Sequence, residues 1–186
     1  MKHNRSLSNL VCLCVSGFLL AVPRVVVSAS ASADADFALE PLEAGPPVRL
    51  AGFAGKIVVL DFFAHWCKPC ARSAPIVEQQ IRRHYLERGG NPHGVPVEVV
   101  SINVEPGDRE RTSAFVRKYG VHLAVQDRDG RTLEAYGGKG LPFFVVLDGT
   151  ASAPDKPAFR RVYARPGFEG AEKLRGVIDA IRPSKP

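Results

Sequence analysis

An apolar run, Ile57-Val58-Val59-Leu60, carries on through Phe62 and Phe63 and then meets Trp66-Cys67-Lys68-Pro69-Cys70. The run is short and rich in β-branched and aromatic residues, so it predicts a strand buried on both faces. A helical pattern follows it. Pro69 has its φ preset for a first helical turn and has no N–H to leave unsatisfied there. Cys67 therefore stands where a strand gives way to a helix, facing free backbone N–H groups and the positive end of a helix dipole. Such a setting stabilises a thiolate, and the thiolate is the nucleophile of disulfide chemistry. Cys70, three positions on, is spaced to attack a mixed disulfide formed by Cys67 and release the reduced partner. Half of a zinc site is the alternative for such a pair. A structural zinc wants about four ligands, and the sequence offers neither a second C-x-x-C nor a histidine pair at ligand spacing. No metal and no organic cofactor is expected.

The flanking pattern sets the architecture. Asp34 to Gly55 is polar and then Pro-rich, and reads as a linker leading to an edge strand near Val48 to Leu50. After Cys70 a helix should run to about Arg88, with Ala74, Val77, Ile81 and Tyr85 on one face and a kink at Pro75. Val97 to Val104 reads as the next buried strand. A helix is expected from Arg109 to Tyr119, a strand from Val121 to Val125 and a short helix from Thr132 to Tyr136. Phe143 to Leu147 and Phe159 to Tyr163 read as adjacent antiparallel strands, and Glu169 to Ile181 as a closing helix. No internal repeat is visible.

Taken together, these motifs carry a resemblance. Asp61, Trp66, Cys67, Pro69, Cys70 and Pro75 stand at the spacing seen in thioredoxins. Gly140-Leu141-Pro142, followed by Phe143 to Leu147, resembles that family's cis-proline loop and the strand after it. From about Phe53 to Ile181 the chain resembles the thioredoxin superfamily. The resemblance implies an α/β thioredoxin fold, with a central mixed β-sheet flanked by helices. Arg109 to Gly138 would then be an insertion between the second βα unit and the cis-proline loop. Such an insert resembles the exported TlpA/ResA-like branch, which serves thiol reduction and cytochrome c maturation. Peroxiredoxins share the general layout, but nothing before Cys67 supplies their Pro-x-x-x-Thr/Ser-x-x-Cys context.

The same resemblance implies roles, and each has a blander reading beside it. Cys67 would be the nucleophile and Cys70 the resolving thiol. Asp61 would accept the Cys70 proton, its pKa raised by burial; otherwise it is a satisfied polar residue near a strand end. Pro142 would be cis, leaving the Leu141 backbone to pair with an extended substrate; otherwise it is a trans proline starting a strand. Trp66 would shield the site and help form a docking surface, or simply pack. Lys68, with Pro69 between the cysteines, would stabilise the thiolate and make the disulfide more oxidising, or point into solvent. Thioredoxin has glycine at the Lys68 position. His65 adds to that effect when protonated, or is a surface histidine. His84, His93 and His122 have no motif around them. The Gly137-Gly138-Lys139-Gly140 run lacks the strand and helix of a dinucleotide loop, so electrons would have to come from a partner.

Residues 1–33 read as a targeting segment. Lys2, His3 and Arg5 precede an apolar stretch from Leu10 to Val22, and small-x-small patterns recur up to Ala33. A cleaved secretory signal is the expectation, with an uncleaved membrane anchor as the alternative. A lipoprotein is disfavoured because Val11 and Leu13, not small residues, precede Cys12 and Cys14. The domain layout is then signal 1–33, linker and edge strand 34–52, and a thioredoxin-like domain 53–186. The mature chain would keep only Cys67 and Cys70, which suits an exported catalyst better than a disulfide-stapled scaffold.

A net charge of +6 suggests nucleic acid, but its distribution argues otherwise. Without the three basic residues of the leader, the count is 22 basic against 19 acidic, and the basic residues are interspersed with acids. The expectation is an exported thiol–disulfide oxidoreductase, a monomer acting as a reductant on protein disulfides and fed by a membrane-embedded electron donor. The rivals are a disulfide-donating oxidase or isomerase, and a thioredoxin-fold binding or chaperone module.

Overall fold

Strand β3 (Ile57–Phe63) is buried along its whole length. Burying a Val, Ile, Leu or Phe side chain is worth about 1.5–3 kcal/mol, so the apolar residues of β3 contribute on the order of 10 kcal/mol. That margin is what lets the strand carry one buried acid, Asp61. The computed structural model describes residues 36–153 and 155–184. The expected signal, residues 1–33, lies outside them. Among the described residues no helix is long and apolar enough to cross a membrane.

The elements follow in chain order: β1 (Ala38–Pro41), β2 (Val48–Arg49), a 3-10 turn (Leu50–Phe53), β3, α1 (Lys68–Val77), a π-helical segment (Glu78–Arg83), α2 (His84–Arg88), β4 (Val97–Asn103), α3 (Arg109–Tyr119), β5 (Ala124–Gln126), α4 (Arg131–Ala135), β6 (Phe143–Asp148), β7 (Arg160–Pro166) and α5 (Ala171–Asp179). The strands form one sheet in the order β2-β1-β5-β4-β3-β6-β7. β3 runs parallel to β4 and antiparallel to β6, and β4 runs parallel to β5. The sheet is therefore mixed, with helices against it, as a thioredoxin fold requires.

Side chains alternate across the strands, and the core divides accordingly. Ile57, Val59, Val97, Val99, Phe144 and Val146 pack on one face with Val77, Ile81, Tyr85, Leu174 and Ile178 from the helices. Val58, Leu60, Phe62, Val100, Ile102, Val145 and Leu147 pack on the other with Phe37, Leu50 and Tyr136. A third cluster gathers Phe63, Ala64, Cys67, Cys70 and Ala74 with Phe115 and Val116 of α3.

Three expectations are corrected. The stretch 34–52 is not a plain linker before an edge strand. It contributes β1, which pairs with both β2 and β5 and so lies inside the sheet, while Phe37, Leu42 and Leu50 are buried. The expected helix does run to Arg88, where Gly89 at φ 72° ends it, but its middle is π-helical rather than α-helical throughout. Pro75 has no N–H for the Ala71 carbonyl, and three residues later the backbone widens into the π segment. The Val121–Val125 strand begins only at Ala124, because the Val121 N–H instead closes the end of α3 on the Val116 carbonyl. Arg109–Tyr119 forms as expected, capped by the Asp108 side chain and ended by Gly120 at φ 67°.

Candidate active site

β3 ends at Phe63, and four residues later the chain enters α1. Cys67 is the N-cap of α1, Lys68 and Pro69 fill the first turn, and Cys70 follows. The Cys70 N–H donates to Cys67 Sγ at 3.1 Å. One of the four donors orphaned at any helix start is thus aimed at the first sulfur. The two cysteines are joined as a disulfide with their Cα atoms 5.2 Å apart. Cys67 is 4% exposed and Cys70 1%, so Cys67 is the more accessible sulfur-bearing residue of the two. The buried Ser73 hydroxyl donates to the Cys70 carbonyl.

Asp61 sits in β3 opposite Ser101 of β4 and Phe144 of β6. It shares the sheet face of Ile57 and Val59, the face packed by the α1–α2 side. The side chain is buried and its Oδ1 has no hydrogen-bond partner among the described residues. Burial therefore raises its pKa to about 7, and the Glu78 carboxylate pushes the same way. Glu78 is itself buried at the start of the π segment. Its carboxylate accepts from the His122 backbone N–H and from Arg82. Pairing by position in the chain gave no hint of Glu78, because its partner His122 is 44 residues away.

The Leu141–Pro142 peptide bond is cis. Pro142 is buried, and its carbonyl accepts from the Gly167 N–H at 2.8 Å. Leu141 is half-buried and packs against the cluster that holds Cys67 and Cys70, so the proline loop and the cysteines lie together. Lys68 and Pro69 are exposed. His65 is half-buried, with Nδ1 buried and unpartnered among the described residues. Trp66 is 60% exposed, and its indole Nε1 donates to Glu105 Oε2 at 2.9 Å. Glu105 lies in what reads from sequence as a featureless turn before α3. The Trp66 hydrogen bond, then the Gly107 N–H, holds the Glu105 carboxyl below its ordinary pKa. No group of three or more His, Cys, Asp or Glu side chains is gathered for a metal among the described residues.

The arrangement suits one chemistry: a disulfide at a helix start, opened by thiolate attack and re-formed by the second cysteine. Comparison with known proteins agrees. Residues 55–152 match the family described as thioredoxin-like. The thiol-disulfide oxidoreductase ResA of Bacillus subtilis is 33% identical over 143 residues, covering 75% of this chain and 74% of that protein. ResA of Geobacillus thermodenitrificans is 34% identical over 115 residues, 61% of this chain and 60% of that protein. Among solved structures, a Chlorobium tepidum protein assigned as thiol:disulfide interchange protein DsbE superposes with TM-score 0.63 at 26% identity, covering 78% of this chain and 92% of that one. A secreted Mycobacterium tuberculosis disulfide oxidoreductase, homologous to E. coli DsbE, superposes with TM-score 0.56 at 25% identity, covering 78% and 96%. The chain belongs to the thioredoxin-like family and is a thiol-disulfide oxidoreductase of the ResA/DsbE type.

Proposed function

We propose that the protein is exported and works as a reductant of protein disulfides, with Cys67 as nucleophile, Cys70 as resolving thiol and Asp61 as proton acceptor. The Cys67 thiolate attacks a substrate disulfide, forming a mixed disulfide and expelling one substrate thiolate. Cys70 gives its proton to Asp61 and attacks Cys67 Sγ. That attack expels the second substrate thiolate and leaves the Cys67–Cys70 disulfide. Two electrons pass to the substrate, and a dithiol donor in the membrane returns them. Trp66, Leu141 and Pro142 form the docking surface, while Lys68 and Pro69 adjust the thiolate. Residues 1–33 direct export, the mature chain acts as a monomer, and its substrates are protein disulfides, either of the cytochrome c maturation type or general ones.

One observation carries the exchange reading: a buried carboxyl in the strand that leads to the cysteines, its Oδ1 without a hydrogen-bond partner among the described residues and its pKa raised to about 7. A resolving thiol must lose its proton to attack, and a base with a pKa near the working pH is the efficient acceptor. A second reading, disulfide donation, is favoured by Lys68, whose charge beside the Cys67 thiolate stabilises the reduced form. The two are separated by paired rate measurements. The reduced protein should open the disulfides of insulin faster than the oxidised protein introduces disulfides into a reduced, unfolded protein. The opposite order makes the donor reading the correct one.

A further inference from the structure

Trp66 is the single tryptophan of the chain, and at 60% exposure it is one of two large apolar side chains left open to solvent among the described residues. An exposed indole has little packing to hold one rotamer, so its orientation has to come from a polar contact. Here the indole N–H is fixed on Glu105 Oε2. The acceptor is anchored in turn. Glu105 Oε1 takes the Gly107 N–H at 2.9 Å, and a Cβ on Gly107 would come within 3.1 Å of that oxygen. The Glu105 carbonyl accepts from Asn103 Nδ2 at 2.7 Å and from Gln126 Nε2 at 3.1 Å. Asn103 is fully buried at the end of β4, Gln126 is buried at the end of β5, and the two amides bond to each other at 2.8 Å. The ends of two parallel strands thus hold out one carboxylate to the residue that precedes Cys67.

We propose that Glu105 is a positioning residue for substrate docking: it clamps the Trp66 indole in one orientation, so that an incoming protein substrate meets a rigid aromatic platform. This rests on the reading of Trp66 as part of the docking surface. Immobilising a side chain during association weakens binding, and holding it in place beforehand removes that loss. Glu105 bonds the indole, the Gly107 N–H and its own strand ends, and neither sulfur atom. Its removal should therefore raise KM and spare kcat and the reduction potential.

Because Trp66 is the only tryptophan, its fluorescence reports the clamp directly. In the intact oxidised protein, Glu105→Ala should lower the steady-state anisotropy of the indole. With insulin as substrate, it should raise KM roughly 2- to 10-fold while kcat and the potential stay at wild-type values. Glu105→Gln removes the charge but keeps a carbonyl oxygen for the indole, so it should recover part of both effects. Trp66→Phe loses the N–H and should raise KM by a similar factor, and adding Glu105→Ala to it should change nothing further. Unchanged anisotropy or KM in Glu105→Ala overturns the clamp, as does an equal KM rise in the Trp66→Phe background. Trp66→Ala tests the underlying reading separately. An unchanged KM there overturns docking on Trp66, and the clamp's role with it. A raised KM there with an unchanged KM in Glu105→Ala overturns the clamp alone.

Discussion

Cys70 donates its backbone N–H to Cys67 Sγ at 3.1 Å across the first turn of α1. In the reduced protein that donor faces a thiolate, and hydrogen bonds to an ionised acceptor are roughly twice as strong as neutral ones. Cys67 should therefore react with iodoacetamide as a thiol well below the ordinary pKa of about 8.5. Cys67→Ser should abolish turnover. Cys70→Ser should instead accumulate mixed disulfides with substrate, seen as adducts by mass spectrometry that dithiothreitol releases. A Cys70→Ser protein that turns over without adducts contradicts the assignment of the two roles.

Asp61 makes stability depend on pH in a defined direction. Its pKa is about 7 in the folded protein against an ordinary 3.8. Between those values the folded state holds more protons than the unfolded one, so stability falls as pH rises, and the loss is complete above about pH 8. A shift of that size corresponds to at most about 4 kcal/mol. Asp61→Asn escapes the loss. Urea denaturation of the oxidised proteins should show the variant gaining on wild type from pH 5 to about pH 8 and levelling off above that. Its turnover should fall tenfold or more, as loss of a general base does. A gap between the two proteins that is constant with pH contradicts the buried titration.

Asn91 tests the frame away from the cysteines. Its buried amide donates to the Ile178 and Ile181 carbonyls at 2.9 and 2.7 Å and accepts from the His93 and Val95 N–H groups. It joins the turn after α2 to the end of α5. Asn91→Ala leaves buried backbone groups unpaired and should destabilise the protein by roughly 2–4 kcal/mol, read by chemical denaturation, with the reduction potential unchanged.

Lys68 is exposed at the first turn of α1, so its effect is small and has a fixed sign. Lys68→Gly removes a cation that favours the thiolate, which destabilises the reduced form. The couple should become more reducing by roughly 10–20 mV, the scale of a surface charge at a helix end. A shift toward more oxidising values contradicts this role.

The strand–turn–helix around the cysteines was legible because local signals agree there: an apolar run, a proline at the first turn, then helical spacing. α3 was legible for the same reason, with Asp108 and Gly120 marking its ends. β1 was not. Ala38-Leu39-Glu40-Pro41 is short and ends in proline, and it becomes a strand by pairing with Val48 and Arg49 on one side and with Val125 and Gln126, far along the chain, on the other. The π segment was hidden as well, since apolar spacing continues through it at Ile81 and Tyr85. Within the site, Cys67, Cys70, Asp61 and the Leu141–Pro142 bond were visible through motif spacing. Glu78 and Glu105 were not, because each acts on a side chain or backbone group some 40 positions away, and a single acid in a helix or a turn carries no pattern.

The reduction potential of the Cys67–Cys70 couple, equilibrated in dithiothreitol or glutathione buffers, tests the central claim most directly. The reductant account predicts a value near that of thioredoxin, about −270 mV. A value near −120 mV, the strongly oxidising end of the range, contradicts it and identifies the protein as a disulfide donor.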